Sequence, residues 1–98
     1  MKTTQIKPEE LERCATMLKA IAHPIRIAII ELLSEQERMS VTEIYEQLEL
    51  EQAVASHHLG ILKNKDVLVS VRDGKNMLYE LKYKQIKQVI ECIQHCQT

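Results

Sequence analysis

The sequence predicts a mainly α-helical fold with a small β-hairpin, and three observations predict it. Apolar residues recur at helical spacing over most of the chain. From Val67 the period changes: Val67, Val69 and Val71 alternate with Leu68, Ser70 and Arg72, as on a strand. Asp73-Gly74 then separates this run from Leu78-Tyr79-Glu80-Leu81. An Asp-Gly pair between two such runs is the strongest short hairpin signal.

The elements follow in chain order. Pro8, Glu9 and Glu10 open a first helix, because proline suits the first turn and acids favour the positive end of the helix dipole. Leu11, Cys14, Ala15, Leu18, Ile21 and Ala22 share one face of it. His23-Pro24 ends this helix and starts the next, since the residue before a proline avoids the α region. Ile25 to Leu33 is apolar almost all round, which places that helix at the centre of a domain. Ser34 to Arg38 reads as a polar connection. Ser40 and Glu43 then form a capping box, which satisfies free amides at a helix start. Ile44 and Leu48 are the buried stripe of this third helix, and Glu49-Leu50-Glu51 is the turn after it.

The fourth helix runs from about Gln52 to about Asn64. It buries Ala55, Leu59 and Leu62 and turns Gln52, Ser56, His57 and Lys63 to its other faces. After the hairpin, a last helix starts near Tyr83 with the stripe Ile86, Val89, Ile90 and Ile93, and Gln97 in line. Two short helices joined by a tight turn and followed by a hairpin make a winged helix-turn-helix. The expectation is about five helices and a two-stranded wing, with residues 1–98 as a single domain.

Composition narrows the function. Hydrophobic residues are 45% and charged residues 28% of the chain, the balance of a folded protein and not of a disordered one. Phe and Trp are absent, so the core is aliphatic. The start, MKTTQIKPEE, has no apolar run, and no segment approaches the ~18 apolar residues of a membrane span, so a cytoplasmic protein without membrane contact is expected. No Gly-rich phosphate loop, nucleophile elbow or paired acid–base constellation marks an enzyme. The net charge is only −1, but it is unevenly spread. Residues 31–51 hold one basic and seven acidic side chains, and residues 63–87 hold seven basic and three acidic. A local basic surface can bind phosphates on a near-neutral chain, because distant charges are screened.

Short polar side chains near the start of the second helix of such a motif are the chemistry that reads base edges in DNA. Gln52, Ala53, Ser56 and His57 are therefore candidate contacts, and Lys63, Arg72 and Lys75 candidate phosphate contacts. Arg72 and Lys75 flank the hairpin tip. His58 sits beside Leu59, and packing and contact remain open for it. Lys82, Lys84 and Lys87 read as solvated. Three cysteines are too few for a disulfide scaffold, so any chemistry they do is thiol or metal chemistry. Cys14 lies on the stripe of the first helix, and Cys92 and Cys96 are one turn apart on the last. Inert thiols, redox or sulfur sensing, and binding of a thiophilic metal or metalloid all stay open, and no metal ligand is assigned.

These residues resemble a known family. Leu18 to Arg26, with Ala22-His23-Pro24, resembles the opening motif of the ArsR/SmtB small winged-helix repressors. Gln52 to Leu59 resembles their recognition helix, and Val67 to Leu81 their wing. The resemblance covers about residues 9 to 93. It implies a homodimer held by the first and last helices (about 9–22 and 83–96), a near-palindromic DNA duplex as partner, and a chemical inducer that releases it. The departures bear on what is sensed. The Cys-x-Cys pair of the arsenic and cadmium members falls here at Ser40 and Thr42. The last-helix ligands of the zinc members fall at Tyr83, Gln85 and Cys96, and the chain ends before the fourth. Gly60 stands where a Lys or Arg is common, and Glu51 where a Ser or Thr cap is common. The expected function is a dimeric, sequence-specific DNA-binding transcriptional regulator, a repressor released by a chemical signal. That signal would act through a thiophilic metal, a metalloid or thiol oxidation at Cys92 and Cys96, with Cys14. The alternative is a winged-helix protein-interaction module without DNA binding.

Overall fold

The computed structural model describes residues 7–96, apart from the side chains of Ile93 and Cys96. Gln97 lies outside the described residues.

Helix α1 (Pro8–Ile21) opens with its proline and two acids as expected. It closes at Ala22, across which the His23 N–H donates to Ile21 O at 2.6 Å. His23 is extended, as a residue before proline should be, and its Nδ1 accepts from the Ile25 N–H at 3.1 Å. It therefore both ends α1 and caps α2 (Pro24–Gln36). Ile29, Ile30 and Leu33 of α2 are wholly buried, so α2 is the central helix that its all-round apolarity required. The helix runs three residues past Leu33 into the expected connection. Ser34 Oγ donates back to Glu31 O at 2.7 Å within that last turn. It stops at Glu37, whose φ of 69° and ψ of −53° let the Arg38 N–H reach Gln36 O at 2.8 Å.

Strand β1 (Met39–Ser40) leads into α3 (Val41–Gln47). The capping box forms in full: the Glu43 N–H donates to Ser40 Oγ at 3.1 Å, and the Ser40 N–H donates to Glu43 Oε1 at 3.0 Å. Helix α4 (Gln52–Asn64) follows, then β2 (Leu68–Asp73) and β3 (Asn76–Leu81). Asp73 pairs with Asn76, so the hairpin loop is Gly74-Lys75, and Gly74 takes the left-handed φ of 63° that such a loop needs. Helix α5 (Ile86–Cys96) begins three residues later than expected. A tighter turn precedes it, with the Ile86 N–H donating to Tyr83 O.

The expected two-stranded wing is part of a three-stranded antiparallel sheet of order β1-β3-β2. Met39 pairs with Tyr79 and Ser40 with Leu78. Two residues are too few to show a strand period, and β1 exists only because β3 supplies its hydrogen bonds. The core joins α2, α3, α4, the sheet and α5 through Ile29, Ile30, Leu33, Met39, Ile44, Leu59, Leu62, Leu68 and Ile90. Gln94 Nε2 on α5 also donates to Glu31 Oε2 on α2 at 2.6 Å.

Helix α1 corrects its sequence reading. Its own-chain contact is made by Met17, Ala20 and Ile21, not by the whole stripe. Of the stripe, Ile21 is buried and Leu11 half-buried, while Cys14, Ala15, Leu18 and Ala22 are exposed. At ~100° per residue, the buried face lies roughly a third of a turn from the stripe.

Candidate nucleic-acid interface

Helices α3 and α4 form the helix-turn-helix, and the capping box sets where the first of them starts. On α4, Ala55, His58, Leu59 and Leu62 are buried, and Gln52, Ala53, Ser56, His57, Gly60 and Lys63 are exposed. Helical geometry puts the exposed set on a continuous arc of roughly 140° with Gly60 near its middle. Every candidate of this helix is thus on one open face. The face is made of small and polar groups, so its backbone can approach another surface closely. Glu51, the N-cap of α4, makes no side-chain capping bond. The first amides of α4 are left for another acceptor, and a helix N-terminus favours anions.

His58, open between packing and contact in the sequence, is buried. Its Nδ1 accepts from Arg26 Nε on α2 at 3.1 Å. Its ring lies 4.5 Å from that of His23 and 5.1 Å from that of His57, centroid to centroid. Burial first, then His23, Arg26 and His57, hold its pKa below the usual 6.5. Sequence reasoning did not single out Arg26 as functional. Its signal was a lone cation in the otherwise apolar run from Ile25 to Ile30.

On the wing, Arg72 and Lys75 are exposed, and Met77, opposite Arg72, is 39% exposed. The ion pairs among the described residues are Arg38–Glu80 at 3.0 Å and Lys82–Asp66 at 3.3 Å. Lys63, Arg72 and Lys75 therefore keep their charges uncommitted, whereas Lys82 is paired. Away from this face, Cys14 and Cys92 are exposed free thiols. The side chain of Cys96 lies outside the described residues. Among the described residues, no three His, Cys, Asp or Glu side chains come together as a metal site would require. Among them, too, no helix is long and apolar enough to cross a membrane.

An open recognition helix beside an uncommitted basic wing defines a winged helix-turn-helix transcriptional regulator that binds DNA. Comparison with known proteins gives its family. Residues 23–70 match the family described as bacterial regulatory protein, arsR family. An HTH-type transcriptional regulator of Methanocaldococcus jannaschii is 32% identical over 85 residues, 87% of this chain and 96% of that one. The transcriptional repressor PagR of Bacillus anthracis is 32% identical over 91% of this chain and 89% of its own. Its crystal structure superposes with a TM-score of 0.84 at 31% identity, covering 89% of this chain and 99% of that one. The repressor SmtB of Mycobacterium tuberculosis is 35% identical over 84% of this chain, which spans only 60% of that longer protein. The chain belongs to the ArsR family of transcriptional regulators.

Proposed function

We propose that the chain is a homodimeric repressor that binds a near-palindromic DNA duplex in the cytoplasm. In this reading α4 enters the major groove, with Gln52, Ala53, Ser56 and His57 toward the base edges. Lys63, Arg72 and Lys75 neutralise phosphates. The observation that carries the reading is the division of α4 into a buried apolar face and an uninterrupted open polar one. The dimer rests on the exposed stripe of α1, where Leu18 is 53% exposed. A chain this short gains stability by covering such a surface with a second copy. A two-fold dimer then presents two recognition helices roughly one helical turn apart, which is why the duplex is near-palindromic. PagR, a repressor at 32% identity, favours repression over activation. Cys14 and Cys92 are exposed on the helices of that interface, so a thiol-directed release signal would act on them and on Cys96.

The test is a mobility-shift assay at fixed salt with a duplex that the wild-type chain selects from a random-sequence library. Ser56→Glu, on the exposed face, should abolish specific retention while the helical circular dichroism is kept. Wild-type-like binding by this variant would remove α4 from the interface. Failure of the wild type to retain any duplex would leave the protein-interaction module as the better reading. Repeating the assay with oxidant, and with Cys92→Ser/Cys96→Ser, tests the thiols. A wild type indifferent to oxidant has no thiol input.

A further inference from the structure

The side chain of Arg26 spans three elements. Its Nη1 donates to Ala20 O, in the last turn of α1, at 3.0 Å. Its Nε donates to His58 Nδ1 on α4 at 3.1 Å. The helix carrying the exposed apolar stripe is therefore joined to the recognition helix through one guanidinium.

That joint depends on a proton. Arginine stays charged and only donates, so Nδ1 of His58 must hold a free lone pair and the ring proton must sit on Nε2. A second proton on the ring would set two N–H groups against each other and bring a positive charge beside the guanidinium. Among the described residues, the groups facing His58 offer no compensation. They are Arg26 from α2, His23 from the joint between α1 and α2, and His57 from α4 itself. None is a carboxylate. His23 also uses its Nδ1 as an acceptor, for the Ile25 N–H that caps α2. Protonation of the His58 ring costs the α1–α2–α4 junction the hydrogen bond from Arg26.

We propose that Arg26 and His58 are positioning residues for DNA binding, and that acidification breaks their hydrogen bond, loosens α4 against α1 and α2, and lowers affinity for DNA. This rests on the reading of α4 as the DNA-contacting helix. The pH window follows from the lowered pKa of His58, which has burial as its largest cause. A histidine that titrates lower in the fold than its unfolded 6.5 contributes its full stability above 6.5. That contribution is lost as pH falls below 6.5 and through the lowered value. His57 lies on the exposed arc of α4, outside the Arg26–His58 hydrogen bond.

Binding of the library-selected duplex is measured by fluorescence anisotropy between pH 7.5 and 5.5 at constant ionic strength. The wild type should weaken about fivefold or more, the lower end of ordinary coupling between sites. His58→Asn offers Arg26 an amide oxygen at either pH, so this fall should vanish and its affinity should stay flat or rise. A histidine-ring NMR titration supplies a readout that packing alone would not move. DNA should lower the His58 midpoint further, since linkage is reciprocal. Arg26→Met should raise it toward 6.5. Identical pH profiles for the wild type and His58→Asn would overturn the coupling and leave the interface reading standing. Should His58→Asn fail to fold, an unmoved midpoint in Arg26→Met overturns it. A wild type that binds no duplex at any pH overturns the interface reading and this coupling together.

Discussion

Gly60 lies near the middle of the open face of α4, and a Cβ added there would meet no atom within 4 Å. Nothing in the fold therefore requires a glycine. In an exposed helix interior, glycine is less favourable than alanine by ~0.8–1.0 kcal/mol. Gly60→Ala should raise unfolding stability by about that amount, which for a domain of roughly this size is a rise of about 4–8 °C per kcal/mol in Tm. Lysine is nearly as good a helix former, so Gly60→Lys should keep most of the gain and add one cation per protomer. If each new cation neutralises one phosphate, the slope of log K against log salt steepens by about 1.8 for the dimer. Between 50 and 200 mM salt the variant should then lose about tenfold more affinity than the wild type. Thermal melts of both variants and a salt series of binding isotherms measure the two effects separately. An Ala variant no more stable than the wild type would refute the open-face geometry. A Lys variant that gains stability without changing the salt slope would refute the placing of this face within reach of phosphate.

Leu18→Glu should separate the protomers. Full burial of a leucine is worth ~1.5–3 kcal/mol, and with Leu18 53% exposed in the single chain, about 1 kcal/mol per protomer remains for a partner. Losing it twice weakens the dimer about 30-fold, and wild-type sedimentation would remove α1 from the interface. Arg72→Ala and Lys75→Ala should each flatten the salt slope by about 0.9 per phosphate lost, equally for specific and non-specific duplexes. An unchanged slope would detach the wing from the backbone. Glu37→Gly should stabilise the chain, because a φ of 69° with ψ of −53° costs a non-glycine residue ~1–3 kcal/mol, against ~0.5–1 kcal/mol of added chain entropy. A lower urea midpoint for this variant would show that the turn is not strained.

Features with local causes were legible in the sequence. Ser40 and Glu43 need only each other to make the capping box, and both of its hydrogen bonds form. Pro24 acts on its neighbour, and the helix break falls there. Helical spacing alone placed Gln52, Ser56, His57 and Lys63 off the buried face of α4, and all four are exposed. Features with distant causes were not. Strand β1 borrows its structure from β3, far along the chain. The Arg26–His58 bond joins residues 32 apart in sequence, and no periodicity records such a pairing. His23 was read only as a helix breaker, because histidine is not among the usual capping residues. Its ring nitrogen nevertheless accepts from Ile25.

Helix α1 shows where periodicity stops being informative. An apolar stripe records that a surface is to be covered, but not which molecule supplies the cover. Had the stripe been for the core of its own chain, Leu18 at its centre would be buried. Instead it is 53% exposed, while Met17, Ala20 and Ile21 on the neighbouring face make the internal contact. The helix thus has two apolar faces, one serving the fold and the other exposed; in the proposed dimer the second copy covers the exposed one. Arg26 grips α1 at Ala20, on the internal face. In the proposed dimer, a shift of α1 at the outer face would therefore reach α4 through the Arg26 hydrogen bonds. In that reading a small change between protomers would act on α4, the proposed DNA-contacting helix, without any rebuilding of the core.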